Sequence, residues 1–319
     1  MPVLRYVAAK FAQALFVVWG AYTVTFALLY VLPYDAVDVL FDPSQGDLLT
    51  AGDKHDARVY YGLDRSLFGQ YAHRLGAAIH GDFGRSTRTG QDAWSMIVGT
   101  LPQTALLAVT ALVLAVLLAA VVALVAAYTQ RRWLAEFFAT LPAAGVSVPV
   151  FLVGLAVLQV FSFRLGWFPP IGNDGPATLV LPAVTLAIPV AAPIARLLLE
   201  NLDSGLHAGY VTVSLAKGAT RLWVLVREVL RNAALPALTI AGVTFGNLLA
   251  GAVIVETVFS RSGLGRLTQT AVRTQDVAVV QGAVVLAALV FVIVNLVVDL
   301  IYPLLDPRLR TRLNTRSPA

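Results

Sequence analysis

The chain has 319 residues, 58% of them hydrophobic and 13% charged, with a mean hydropathy of +0.77. Soluble domains carry about a quarter of their residues charged, so this composition has too little polar surface to cover a globule in water and suits a bilayer instead. The absence of cysteine excludes a disulfide framework and a thiolate metal site. The net charge of +5 raises nucleic acid as a partner, but where the basic residues lie explains it without one.

A membrane-crossing helix needs about 20 mostly apolar residues to pass about 30 Å of hydrocarbon. Phe11–Leu32 is the first such run, after Arg5 and Lys10. It exceeds the roughly 7–15 apolar residues of a signal-peptide core and has no small-residue cleavage site after it, so a retained helix is expected. A long connection follows over residues 33–101, opening with Asp35, Asp38, Asp42, Asp47, Asp53 and Asp56. Within "GLDRSLFGQYAHRLGAAIHGDFG", Leu67, Tyr71, Leu75 and Ile79 recur at helical spacing, which predicts a short amphipathic helix along the membrane face.

Ala105–Tyr128 reads as the second span and Leu134–Phe161 as the third. The turn "FRLGWFPPIGNDGP" follows, with Trp167 and Phe168 suited to an interface. Thr178–Leu199, Ala233–Phe259 and Val277–Leu305 complete six spans. The third contains Pro142, Gly145 and Pro149, and the fourth contains Pro182, Pro189 and Pro193. Each internal proline removes a donor and predicts a kink, and the freed carbonyls need another helix or a wet cavity. Glu256 lies near the outer end of the fifth span, and Asn295 and Asp299 share a face of the sixth. The other deep polar groups, Gln159, Thr185, Thr244 and Asn247, are neutral. They read as hydrogen-bonding glue between helices, not as the midplane charges of a proton relay.

With six spans, both termini share a side with Arg131, Arg132, Arg196, Lys217, Arg221, Arg227 and Arg231, and with Arg308 to Arg316 in the tail. Setting the long first loop aside, the opposite side is poor in basic residues, so both ends are placed in the cytoplasm. The basic excess is a topology signal, and no nucleic-acid partner is needed. The resulting division is a tail and first span (1–32), an extracytoplasmic region (33–101), a transmembrane core (102–305) with a cytoplasmic loop (200–235), and a cytoplasmic tail (306–319).

No phosphate-cradling loop is present, since "AKGAT" lacks the first glycine of that motif and follows no strand. His73 and His80 fall on one helical face without a carboxylate at fixed spacing, while His55 and His207 are remote from them. No metal site and no catalytic residue are therefore expected.

The segment "YVTVSLAKGATRLWVLVREVLRNAALP" (210–236) is basic and helix-prone between apolar runs, with a break at Gly218. A helix, a glycine turn and a second helix entering the membrane would make a lever whose Val211, Leu215, Leu222 and Val226 fill a groove on a partner. An interfacial helix bound to lipid headgroups is the other reading of the same residues.

The segment resembles the cytoplasmic coupling motif of ATP-binding cassette importer permeases of the dipeptide, oligopeptide and nickel type, through Tyr210, Val211, Ala216, Lys217, Gly218, Leu230, Arg231, Asn232, Ala233, Leu235 and Pro236. "YGLDRSLFGQY", "HGDFGRS", "GAVIVETVFSRSGLGRL" and "NLVVDLIYPLLDPRLR" agree in the expected order. Gly209 and Thr212 to Leu215 depart from the motif.

The resemblance implies an all-α membrane protein of six transmembrane helices with the type I importer permease fold and a long loop between helices 1 and 2. It implies a bacterial inner-membrane subunit that translocates short peptides, with nickel or other metal chelates as the alternative and an ion-coupled secondary transporter as the rival class. Implied partners are a second homologous permease, two ATPase subunits that bind the ATP and Mg, and an extracytoplasmic substrate-binding protein. The chain itself would hold no cofactor and catalyse nothing. Tyr210, Val211, Leu215, Ala216, Lys217, Gly218, Arg231 and Asn232 are the implied ATPase-coupling residues. Pro149, Pro189, Asn247, Glu256, Gly263 and Gly265 are the candidates for the translocation path or gate.

Overall fold

A computed structural model describes residues 2–30 and 66–305, and the side chains of 8–30 and 66–297. The aspartate-rich start of the first loop, His55, the Asp299 side chain and the arginines of the tail lie outside the described residues. Among those described, the chain is helical throughout, apart from an isolated bridge between Arg85 and Asp92. The helices are α1 (Pro2–Tyr30), α2 (Leu67–Ile79), α3 (Ala93–Tyr128), α4 (Arg132–Ser147), α5 (Val150–Val157), α6 (Ala177–Leu206), α7 (Gly209–Ala216), α8 (Arg221–Val258), α9 (Leu264–Arg273) and α10 (Val277–Leu305). A π-helical stretch, Leu158–Arg164, continues α5, and another, Val224–Val229, lies inside α8.

Helices α1, α3, α6, α8 and α10 are each long and apolar enough to cross a membrane. The third span departs from expectation. It is two helices bent by 108°, where the sequence suggested one kinked run over Leu134–Phe161. The break falls at Val148 and Pro149. Val148 is extended (φ −95°, ψ 124°), the conformation that the following proline ring imposes, whereas Pro142 stays inside α4. Despite the bend, the contacts of the two arms step along α6 in reverse chain order. Glu136 faces the same cavity as Glu200 and Asp203, Gly145 lies against Ala192 and Ile188, and Gly154 lies against Thr185. Taken as one broken span on this contact order, the bent pair brings the five crossings to six.

The other spans differ from expectation at their ends. Helix α3 begins at Ala93, well before Ala105, because Asp92 caps it by accepting from Ser95 N at 2.8 Å. Helix α6 runs as one continuous helix through Pro182, Pro189 and Pro193. The carbonyl of Thr178, which lost its partner at Pro182, accepts from Arg261 Nη1 at 3.1 Å instead. The hydroxyls of Thr185 and Thr244 donate to carbonyls of their own helices, Leu181 O at 2.8 Å and Ile240 O at 2.9 Å. Those two are not glue between helices, while Gln159 and Asn247 are exposed.

The chain divides into two compact units, residues 1–4, 103–266 and 293–319 in one, and residues 5–102 and 267–292 in the other. In the first unit, α6 packs along α8 and against α4 and α5. Leu107, Ala111, Ala115, Ala119 and Ala123 of α3 are fully buried in the same apolar cluster. Leu106, Val109, Val113, Leu117 and Val121, on the other side of α3, are exposed, which is the pattern of a lipid-facing helix.

In the second unit, α2 forms where the four-residue spacing of apolar residues predicts it, with Ser66 accepting from Gly69 N at its start. Tyr71 ties α2 to α1: its hydroxyl is 2.8 Å from Thr23 Oγ1, and its ring meets Tyr22 and Phe26 edge-on. The "HGDFGRS" stretch is a turn held by Gly81 and Gly84, both at positive φ. Its Ser86 donates to Asp276, whose other oxygen accepts from Val279 N at the start of α10.

Candidate functional site

Helix α7 is short because its sequence stops it. Gly218 takes φ +89°, a region that side chains with a Cβ rarely enter. The last turn then closes with Gly218 N on Leu215 O at 3.0 Å and Ala219 N on Ser214 O at 3.1 Å, which satisfies the end carbonyls of the helix. Two residues on, Thr220 starts α8 by accepting from Trp223 N at 3.3 Å. The expected helix, glycine turn and second helix are all present.

Two anchors hold α7 in place. Val211 is buried at 6% exposure in the apolar cluster, so it faces the chain's own core and not a partner groove, unlike the sequence reading. Ser214 Oγ donates to both oxygens of Glu228 at 3.0 and 2.9 Å, which links α7 to the π-helical turn of α8. Asn232 Nδ2 donates to Glu228 O at 3.2 Å. Gly205 of α6 lets that turn approach closely, since a Cβ there would meet Val229 Cγ1 at 2.6 Å. The exposed apolar surface here is made of Tyr210, Val213 and Leu215 on α7 and Leu222, Trp223 and Val226 on α8, with Lys217 and Arg231 exposed as well. Ala216 and Asn232 are also exposed. Beneath it lies a cavity of about 720 Å³ between the ends of α3, α4, α6, α7 and α8, bordered by Glu136, Glu200, Asp203, His207 and Arg221.

The path-or-gate candidates separate into two groups. Pro149 and Asn247 are exposed and Pro189 is half-buried, with no bond joining them to the others. Glu256, Gly263 and Gly265 meet in one closed polar cluster. Glu256 is 1% exposed. Its Oε1 accepts from Thr104 Oγ1 at 2.6 Å, and its Oε2 accepts from Gly265 N at 2.7 Å and Arg266 N at 3.2 Å. Thr104 Oγ1 in turn accepts from Leu264 N at 2.8 Å. The carboxylate and the hydroxyl together satisfy the free amides at the start of α9. Both glycines are required by space, because a Cβ on either would collide with the Glu256 carboxylate, and on Gly265 with the Val253 backbone as well.

Arg261, 2% exposed, extends the cluster. Its Nη1 donates to Gly172 O at 3.3 Å and Thr178 O at 3.1 Å, and its Nη2 to Gln103 Oε1 at 3.3 Å. Burial pushes its pKa down and the neighbouring Glu256 opposes that shift. Asn173 closes the circuit, donating to Gln103 Oε1 at 3.0 Å and accepting from Ser262 N at 2.8 Å.

Sequence reasoning missed Thr104, Gln103, Asn173, Arg261, Ser214 and Glu228. One signal was available: Pro182 frees the Thr178 carbonyl, and a buried donor such as Arg261 is the group such a carbonyl requires. Among the described residues, no set of His, Asp and Glu is placed to hold a metal ion.

Five helices long and apolar enough to cross a membrane, six crossings with the bent pair taken as one span, define a multi-pass membrane protein. Residues 119–311 match the family described as the binding-protein-dependent transport system inner membrane component, and the chain belongs to that family. It is the permease subunit of an ATP-binding cassette importer, a multi-pass inner-membrane protein that works with an ATPase and a substrate-binding protein. The chain is 34% identical over 275 residues to the glutathione transport system permease protein GsiC of Escherichia coli, covering 84% of this chain and 89% of that one. The same values hold for GsiC of Shigella dysenteriae. Among solved structures, an amino acid ABC transporter with histidines aligns at 18% identity and a TM-score of 0.48, over 67% of this chain and 94% of that one.

Proposed function

We propose that this chain forms half of the path by which short peptides enter the cytoplasm, paired with a second, homologous permease. Both termini and the α7 lever face the cytoplasm, in keeping with the basic residues of loop 200–235. Two separate ATPase subunits bind ATP and Mg and dock on the lever, and a substrate-binding protein delivers the solute from outside. The chain hydrolyses nothing itself. The observation that carries this reading is the apolar surface from Tyr210 to Val226. Three apolar side chains stand exposed on α7, which is itself clamped to the core, and three more on the first turns of α8, apolar surface suited to a groove on a partner. The short-peptide class rests on the two relatives named for glutathione transport.

Docked there, the ATPase pair transmits its closure to α6 and α8 through α7 and the Ser214–Glu228 link, biasing a two-state bundle. Reconstitution tests the whole reading. Proteoliposomes with this chain, its permease partner, the ATPases and the binding protein should take up glutathione-sized peptides only with ATP. Liposomes with this chain alone should take up none. Uptake driven by an ion gradient without ATPases refutes the importer mechanism, and ATP-driven uptake of metal chelates but not peptides refutes the substrate.

A further inference from the structure

The polar cluster around Glu256 does more than cap a helix. Its members come from three separate places in the unit: Gln103 and Thr104 within α3, Gly172 to Thr178 in the turn before α6 and its first residues, and Glu256 to Arg266 where α8 passes into α9. Seven of its bonds cross from one place to another, while the two from Gly265 N and Arg266 N to Glu256 stay within the third. The groups are buried and several are charged, so parting them leaves unpaired polar atoms away from water, at about 1–3 kcal/mol for each neutral group and more for a charged one. The opposite end of α3, α6 and α8 is different. There the helices surround the cavity of about 720 Å³, and its facing acids pair along their own helices, Arg132 with Glu136 and Arg196 with Glu200. Among the described residues, Ser214 to Glu228 links α7 to α8 there, but no side-chain bond joins α3, α6 and α8 to one another at that end.

A bundle that alternates between two states must break contacts somewhere, and it breaks those that cost least. We infer that Thr104, Asn173, Glu256 and Arg261 lock the Thr104 region of α3, the start of α6 and the end of α8 into one plate. This plate moves as a body through the transport cycle, and the rearrangement within the unit is confined to the cavity-bearing end. Thr104 is the positioning residue of the plate, because only a hydroxyl can donate to Glu256 and accept from Leu264 N at once. This inference rests on the importer reading for the existence of an ATP-driven cycle.

The chain has no cysteine, so label pairs can be placed cleanly in the full complex with cysteine-free partners. Exposed positions serve: Leu106→Cys with Ile171→Cys across the plate, and Phe137→Cys with Val213→Cys at the cavity end. Pulsed electron paramagnetic resonance then measures both distances without nucleotide and with ATP trapped by vanadate. The plate distance should hold its mean while the cavity-end distance shifts. A nucleotide-dependent shift of the plate distance overturns the inference even if the cavity end also moves. If the complex hydrolyses ATP and neither distance moves, the coupling reading fails, and the plate is judged by substitution. Thr104→Val should broaden the plate distribution and lower uptake, and Thr104→Ser should restore both. An unbroadened Thr104→Val refutes the plate.

Discussion

Gly218→Val separates two ways in which the lever is held. Nothing lies within 4 Å of a Cβ built on Gly218, so the substitution introduces no clash and acts only through its φ of +89°. Holding a non-glycine residue in such a region costs about 1–3 kcal/mol, and a β-branched side chain lies at the upper end. Against that stand two anchors. Full burial of a valine contributes about 1.5–3 kcal/mol, and Val211 is nearly fully buried. A hydrogen bond to a charged group contributes about 1.5–3 kcal/mol, and Ser214 makes one to Glu228. The anchors outweigh the strain, so α7 should stay docked in Gly218→Val. Its amides should exchange with solvent somewhat faster and uptake should fall several-fold, with the bundle intact. Adding Ser214→Ala removes one anchor and should release α7, with loss of protection over residues 209–217 and of ATPase co-purification. Asn, which tolerates positive φ, should cost less than Val at the same position. Wild-type exchange and uptake in Gly218→Val would falsify the need for a left-handed turn. Complete loss of protection in that single variant would show that the anchors are weaker than reasoned.

Gly265→Ala should lower the melting temperature of the purified complex, since a methyl group there meets the Val253 backbone and the Glu256 carboxylate; overpacking of this kind costs about 1–3 kcal/mol, and an unchanged temperature argues against the close approach. Gly205→Ala should weaken ATP-driven uptake by forcing α6 from Val229, where the new atom would lie 2.6 Å from Cγ1. Combining it with Val229→Ala should recover uptake, and failure to recover places the fault elsewhere. Tyr71→Phe should cost about 0.5–1.5 kcal/mol, the value of one hydrogen bond, because the ring contacts remain and Thr23 keeps its bond to Trp19 O at 2.8 Å. Thermal unfolding measures that loss, and a larger one means that the hydroxyl supports more than Thr23.

The crossings were legible because about 20 apolar residues are a strong signal, and the lever was legible because Gly218 interrupts helix-compatible residues. The break of the third span at Pro149 was visible as a proline, but its angle was not, since that angle depends on where α6 and α8 offer contact. The span of α6 was legible as Thr178–Leu199, but the group that serves its freed carbonyl was not. Pro182 announces a missing donor, and only the fold brings Arg261, far along the chain, to replace it. Glu256 stood out as an acid in an apolar span, yet its role comes from Thr104 and the amides of α9, none of which carries a pattern that a single sequence can show. The π-helical turn at Val224–Val229, whose Val229 lies close to Gly205, likewise carries no local pattern that marks it.

The fully buried alanines of α3 have a consequence for how this chain tolerates change. Ala111, Ala115, Ala119 and Ala123 have no exposed surface, and a single methyl at each already fills its place in a close-packed interior. Substituting any of them by leucine pushes the helix away along its whole length, whereas Val109, Val113, Leu117 and Val121 on the lipid side can exchange freely among apolar residues. A saturation library of this helix should therefore survive on one side only, with a tolerant stripe and a silent one alternating at the pitch of the helix.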